Sequence, residues 1–70
     1  MITVYVLISL MDGAIYVGMV KDIENRLREH NQGKNRYTKG HIPWKIIYTE
    51  IFPNWTEARV REKYFIGYLI

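Results

Sequence analysis

The sequence predicts a small α+β domain whose elements follow the order β-β-α-β-α. Two observations support this prediction: three runs are rich in β-branched and aromatic residues, and two segments have helical spacing of apolar residues between capping signals. The chain of 70 residues is long enough for one domain. No repeat, low-complexity tract or linker interrupts it, so residues 1–70 are expected to fold as a single unit.

The composition excludes several classes of protein. With 49% hydrophobic residues and aromatic residues making up 14%, the chain resembles a packed globule rather than a disordered segment. The absence of cysteine excludes disulfide bonds and thiolate zinc sites. The longest mainly apolar stretch, Val4 to Met11, is far shorter than the roughly 20 residues that span a bilayer. A soluble, cytoplasmic protein is therefore expected.

The first element is a β-hairpin. Thr3 to Leu10 is rich in β-branched residues, and Ile15 to Gly18 forms a second short run. The Asp12-Gly13 pair between them favours a tight turn, because glycine readily adopts the positive φ that such a turn requires.

A helix of about ten residues is predicted to follow, with Asp22 as its N-cap and Gly33 as its C-terminal stop. At 100° per residue, Arg26 and His30 share the apolar stripe of this helix. An arginine directed toward a sheet needs an oxygen partner or loses hydration free energy. The alternative is an arginine whose apolar stem lies along the boundary of the stripe and whose head reaches water.

The second half of the chain predicts a strand and a helix. Trp44 to Phe52 alternates as a strand does, and a final helix is expected from an N-cap at Thr56 to about Tyr68. Glu62 falls in the apolar stripe of that helix. A carboxylate in this position is costly unless it finds a metal or a cation, and a nearby Lys or Arg is the alternative partner.

The charges are distributed unevenly, although the net charge is only +3. No Asp or Glu occurs between Glu29 and Glu50. The bases in this interval are Lys34, Arg36, Lys39 and Lys45, together with His41. We expect the four Lys and Arg residues to bind nucleic-acid phosphates, and a merely solvated loop is the alternative.

The inward Arg26 and His30, the inward Glu62 and the basic interval together suit phosphate ester chemistry. Hydrolysis of a phosphodiester requires stabilisation of charge on the phosphoryl oxygens and an activated water, which an arginine, a metal and a base can provide. With a single inward carboxylate, one Mg²⁺ or Mn²⁺ ion bound by Glu62, substrate oxygens and water fits better than a two-metal site. No HExxH, P-loop or GxGxxG motif occurs, which argues against zinc proteases, ATPases and dinucleotide enzymes.

Four motifs, taken in order, resemble those of the GIY-YIG nucleases. They are Thr3-Val4-Tyr5, Tyr16-Val17-Gly18, Arg26 within Asp22-Ile23-Glu24-Asn25-Arg26-Leu27, and Arg61-Glu62-Lys63. The intervening sequence looks most like the small stand-alone bacterial members, which are related to the N-terminal incision domain of excision-repair nucleases. The resemblance implies a three-stranded antiparallel sheet flanked by helices.

The resemblance also implies roles for five residues on one face of the domain, namely Tyr5, Tyr16, Arg26, His30 and Glu62. Tyr5 would accept the proton of the attacking water, Tyr16 and His30 would tune or orient it, Arg26 would bind the scissile phosphate, and Glu62 would hold the metal. The function expected is a metal-dependent DNA endonuclease of a DNA-repair type. The alternatives are a non-cleaving nucleic-acid-binding module and a small structural or adaptor domain.

The end of the chain is apolar. Tyr68-Leu69-Ile70 is expected either to be exposed in a domain that is short at its C terminus or to be covered by a partner.

Overall fold

The computed structural model describes all 70 residues and confirms the α+β order β-β-α-β-α. Three strands and two helices form its regular structure, and a short 3₁₀ helix lies within the basic interval. Their bounds are β1 Ile2–Ser9, β2 Ile15–Val20, α1 Ile23–Asn31, the 3₁₀ helix Thr38–His41, β3 Trp44–Phe52 and α2 Trp55–Leu69. None of the helices combines the length and the apolar character that crossing a membrane would require.

The three strands form one antiparallel sheet in the order β2-β1-β3. The hairpin pairs Tyr5 with Gly18, and its turn contains Gly13 at φ 77°. The register between β1 and β3 shifts at Val6 and Leu7, where β3 carries an extra residue. Because β1 has a partner on each side, it forms the centre of the sheet.

The two helices cover opposite faces of the sheet. Alternate residues of β1, from Ile2 through Val4 to Val6, pack with Ala58 of α2. Tyr5 and Leu7 point to the other face, where Ile23 and Leu27 of α1 and Trp44 of β3 pack against them. The pleat of β1 therefore decides which side chains meet which helix.

The helix ends agree with the sequence at α1 but not at α2. The Asp22 side chain accepts a hydrogen bond from the backbone N–H of Asn25 at 3.1 Å, as expected of an N-cap. The N-cap of α2 is Asn54, whose Oδ1 accepts from the backbone N–H of Glu57 at 2.9 Å. The prediction of Thr56 as the N-cap was wrong, because Asn54 begins the helix earlier and leaves Thr56 in its first turn.

Candidate active site

A buried chain of hydrogen bonds joins the sheet to α1 and to the 3₁₀ helix. The hydroxyl of Tyr5, on β1, lies 3.1 Å from Nε2 of His30, at the end of α1. The other ring nitrogen, Nδ1, lies 2.7 Å from Oγ1 of Thr38. All three side chains are almost completely buried. The two nitrogens of His30 are therefore both used, and the ring is fixed in orientation.

Two further contacts hold this chain in place. The indole N–H of Trp44 donates to the backbone carbonyl of Thr38 at 2.9 Å. The Asn31 side chain accepts from the backbone N–H of Trp44 at 2.7 Å and donates to its carbonyl at 3.2 Å. The end of α1, the 3₁₀ helix and the start of β3 are thus tied together around His30.

Aromatic rings surround the buried hydroxyl of Tyr5. Tyr16, on β2, is half-buried, and its ring meets that of His30 edge-on at a centroid distance of 4.9 Å and that of Tyr5 at 6.2 Å. We call the wider group the aromatic cluster. Its members are Tyr5, Tyr16, His30, Tyr37, His41 and Trp44.

Burial keeps Tyr5 and His30 uncharged. It raises the pKa of the Tyr5 hydroxyl well above its ordinary value; the neighbouring Tyr16 hydroxyl and the Glu62 carboxylate raise this pKa further, while Arg26 lowers it. Burial also lowers the pKa of His30, and the positive charge of Arg26 lowers it further. At neutral pH the pair is therefore a phenol beside a neutral imidazole.

A polar cleft of about 250 Å³ opens beside His30. No hydrophobic side chain lines it. The lining residues are Arg26, Glu29, His30, Lys34 and Asn35. Arg26 is ion-paired with Glu29 at 3.2 Å, and both side chains are partly exposed. With Arg26 and Lys34 against the single carboxylate of Glu29, the lining has a net positive charge next to the buried imidazole, which suits an anionic ligand.

Glu62 lies on α2 and is not among the residues that line the cleft. Its carboxylate is one of the charges that raise the pKa of Tyr5. The side chain is 19% exposed and lies 3.6 Å from Nε of Arg59, which is 57% exposed. The expected inward carboxylate therefore has a loose ionic partner in a mostly solvated arginine.

The four predicted phosphate-binding residues do not lie together. Lys34 lines the cleft, and Arg36 and Lys39 are exposed on either side of the start of the 3₁₀ helix. Lys45 pairs with Ile8 in the register, so its side chain leaves the sheet on the face opposite to that of Trp44. The structure separates Lys45 from the cleft.

A known domain family matches almost the whole chain. The sequence profile of the GIY-YIG catalytic domain matches residues 1–69. The chain belongs to the GIY-YIG family. Members of the GIY-YIG family generally hydrolyse phosphodiester bonds.

Relatives of this GIY-YIG chain include small bacterial proteins. It is 40% identical to a UPF0213 protein of Bacillus licheniformis over 62 residues, which are 87% of this chain and 64% of the relative. It is 40% identical to a UPF0213 protein of Staphylococcus saprophyticus, covering 80% of this chain and 70% of that one. The solution NMR structure of a UPF0213 protein from Bacillus halodurans superposes with a TM-score of 0.56 at 33% identity, covering 96% of this chain and 72% of that protein. The chain thus spans about two thirds of the length of these relatives.

Two residues that hold the buried chain of hydrogen bonds around His30 in place were not predicted from the sequence. Thr38 lies among basic residues in a segment without periodicity, so nothing in the sequence marks it as buried. Asn31 did carry a signal. At 100° per residue it falls about 40° from Leu27, beside the apolar stripe of α1, where a side-chain amide near the helix end can bond to the backbone of a neighbouring segment.

Proposed function

We propose that this protein is a metal-dependent endonuclease that hydrolyses DNA phosphodiester bonds. The observation that carries the proposal is the hydrogen bond between the Tyr5 hydroxyl and the buried His30 ring, which borders a cleft containing Arg26 and Lys34. Membership of a family that generally hydrolyses phosphodiester bonds supports the reaction type. The basic interval around the cleft supports a nucleic-acid substrate.

The pair of Tyr5 and His30 supports a proton path. A phenol with a raised pKa accepts a proton from water only if its own proton leaves at the same time. Nε2 of the neutral His30 ring, 3.1 Å away, can take that proton when Nδ1–H donates to Oγ1 of Thr38. Tyr5 then receives the proton of the attacking water while His30 becomes an imidazolium held by Thr38.

The cleft supports binding of the scissile phosphate. Negative charge grows on the phosphoryl oxygens as water attacks, and fixed positive groups stabilise it. Arg26 is suited to this role because its guanidinium can donate two parallel hydrogen bonds to a phosphate. Lys34 adds a second positive charge in the same cleft.

The donor set is compatible with one divalent ion. No group of three or more His, Asp and Glu side chains is placed to hold a metal by itself. A Mg²⁺ or Mn²⁺ ion would therefore take its ligands from Glu62, the substrate phosphate and water, and Mg²⁺ commonly keeps several waters. Arg59 holds the Glu62 carboxylate only loosely, at 3.6 Å, so that carboxylate is free to change partner. When bound, the ion would act as a Lewis acid on the phosphate.

A nicking assay on supercoiled plasmid tests the proposal. We expect Mg²⁺ or Mn²⁺ to support nicking and a chelator to stop it. Tyr5→Phe, which removes one hydroxyl from a buried ring, should abolish nicking. Tyr48→Phe should not, because Tyr48 is 45% exposed and lies on the α2 face of the sheet, away from the cleft. Plasmid binding without nicking under every metal condition would instead indicate a non-cleaving nucleic-acid-binding module. If the protein neither binds nor nicks the plasmid, a structural or adaptor domain is favoured.

A further inference from the structure

Tyr37 is an exposed aromatic residue on a rigid support. It is 58% exposed although it belongs to the aromatic cluster. Its own backbone N–H and that of Thr38 both donate to Oδ1 of Asn35, at 2.9 and 3.0 Å. Oγ1 of the next residue, Thr38, lies within hydrogen-bond distance of Nδ1 of the buried His30, at 2.7 Å. The ring is therefore held at the surface by a well-anchored backbone.

The ring of Tyr37 continues a series of aromatic contacts that begins at the buried site. It stacks on Tyr16 with a centroid distance of 6.0 Å and an interplanar angle of 29°. Tyr16 in turn meets the ring of His30 at 4.9 Å. The ring of Tyr37 also packs at a tilt against the ring of His41, with a centroid distance of 5.6 Å. Nδ1 of His41 is in turn 2.5 Å from Oδ2 of Asp12. With these neighbours and more than half of the residue exposed, Tyr37 still offers open ring surface.

The surroundings of this ring are cationic. Arg36 precedes Tyr37 directly, Lys39 follows two residues later, and both are exposed. Lys34 lines the adjoining cleft. An aromatic surface flanked by basic side chains is the combination with which proteins bind single-stranded nucleic acid, because bases stack on the ring while phosphates meet the charges.

We propose that Tyr37 is a stacking platform for an unpaired nucleobase next to the phosphate held in the cleft. The inference rests on the proposed function in that the cleft is taken to hold the phosphate. A base inside a duplex already has both faces covered by its neighbours, so only an unpaired or extruded base can stack on a side chain. The ligand is thus a nucleic-acid strand with at least one unpaired base.

A simpler role for Tyr37 is to cover Tyr16. That role needs apolar area and not a planar ring, so leucine would perform it nearly as well. Stacking, in contrast, needs an aromatic ring, so tryptophan should replace tyrosine and leucine should not. Tyr64 offers a matched control, because it is 53% exposed and stacks on another tyrosine, Tyr68, at 5.9 Å, but lies on α2.

Binding of a fluorescent oligonucleotide tests the inference without any cleavage. The probe is an eight-residue thymidine strand with one 2-aminopurine, mixed with the full chain in chelator. We expect wild type and Tyr37→Trp to quench the 2-aminopurine fluorescence on binding, because stacking on an aromatic ring quenches this base. Tyr37→Leu should remove the quenching and weaken binding about 5-fold or more. Tyr64→Leu should behave as wild type.

A second probe, with an abasic site in place of the 2-aminopurine, separates stacking from a general structural effect. Wild type should bind it about 5-fold or more weakly than the intact strand, whereas Tyr37→Leu should bind both alike. Equal quenching by wild type and Tyr37→Leu, or equal discrimination against the abasic strand, would overturn the inference. Because these measurements need no metal, their outcome is independent of whether the plasmid is nicked.

Discussion

The hydroxyl of Tyr5 occupies the space that a side chain at Gly18 would fill. A Cβ at position 18 would lie 2.5 Å from this oxygen and 2.6 Å from Cζ of the same ring. The two residues are direct partners in the pairing of β1 with β2. Glycine is therefore required at position 18 by the placement of the proposed proton acceptor.

Gly18→Ala should displace the Tyr5 ring and break its hydrogen bond to His30. We expect the free energy of unfolding to fall by about 1–3 kcal/mol, as for other overpacked cores, and nicking to be lost. Urea unfolding and the plasmid assay measure the two effects. The control is Gly67→Ala in α2, where a Cβ meets no atom within 4 Å and alanine should stabilise the helix by up to about 1 kcal/mol. Equal behaviour of the two variants would contradict the role of Gly18.

Arg26→Ala should affect the rate more than the fold. The guanidinium lines the cleft, and its ion pair with Glu29 is partly exposed and contributes little to stability. We expect nicking to slow by at least about 100-fold, the scale of losing one preorganised charge donor, with a nearly unchanged melting temperature. Arg28→Ala is the matched control, because Arg28 is exposed and bonds only to Asn25 of its own helix. Similar rates for the two variants would refute the assignment.

Salt dependence should identify the residues that meet phosphates. If Lys34, Arg36 and Lys39 neutralise three phosphates, the log–log slope of affinity against salt should be about −2.7 on duplex DNA. Each alanine variant of these three should flatten the slope by roughly one unit. Lys45→Ala should leave it unchanged, because that side chain lies on the other face of the sheet. A slope near zero for wild type would indicate that these basic residues form a solvated loop that binds no phosphates.

Glu62→Gln should abolish nicking while DNA binding is kept. Removal of the carboxylate takes away the proposed protein ligand of the metal, and the pair with exposed Arg59 is worth too little to change the fold. Because such a pair contributes up to about 0.5 kcal/mol, the melting temperature without metal should stay within about 4 °C of wild type. Arg59→Gln breaks the same pair but keeps the carboxylate, so it should nick as wild type does. Nicking by Glu62→Gln at the wild-type rate would rule out Glu62 as the metal ligand.

Stability should fall on the acid side because of His30. Its pKa in the folded protein lies below the ordinary 6.5, since burial and Arg26 disfavour the charged ring, with Glu29 opposing. As the pH falls below about 6.5 the unfolded chain takes up this proton first, so the free energy of unfolding decreases by at most about 1.4 kcal/mol per pH unit. Urea unfolding between about pH 5 and 8 should show this slope in wild type and in His41→Gln but not in His30→Gln.

Most of the fold could be predicted from the sequence because turn and strand-breaking residues clearly delimit the strands and helices. Trp44–Phe52 has the same bounds in the structure as in the prediction, since Pro43 and Pro53 delimit the run. The end of that strand was also where the prediction failed. Asn54 and Thr56 are both good N-caps, and propensity alone did not choose between them.

The site was less accessible to sequence reasoning. The helical wheel placed Arg26 and His30 on the inner side of α1, and the structure brings both to the cleft. The contact of His30 with Tyr5, however, joins residues 25 positions apart in different elements, and no spacing rule predicts such a pair. Thr38 and Gly18 act through shape and hydrogen bonding in three dimensions, which a one-dimensional pattern does not record.

The central position of β1 also constrains how the chain can fold. Its partners in β3 lie 35 residues away in the sequence at Ser9 and Trp44, and 50 residues away at Ile2 and Phe52. During synthesis β1 leaves the ribosome before β3. One edge of this apolar strand therefore stays unpaired until the second half of the chain has been synthesised. Closure of such long loops slows folding, and the waiting edge is open to pairing with other chains. Refolding yield should therefore fall steeply as the concentration of the chain rises.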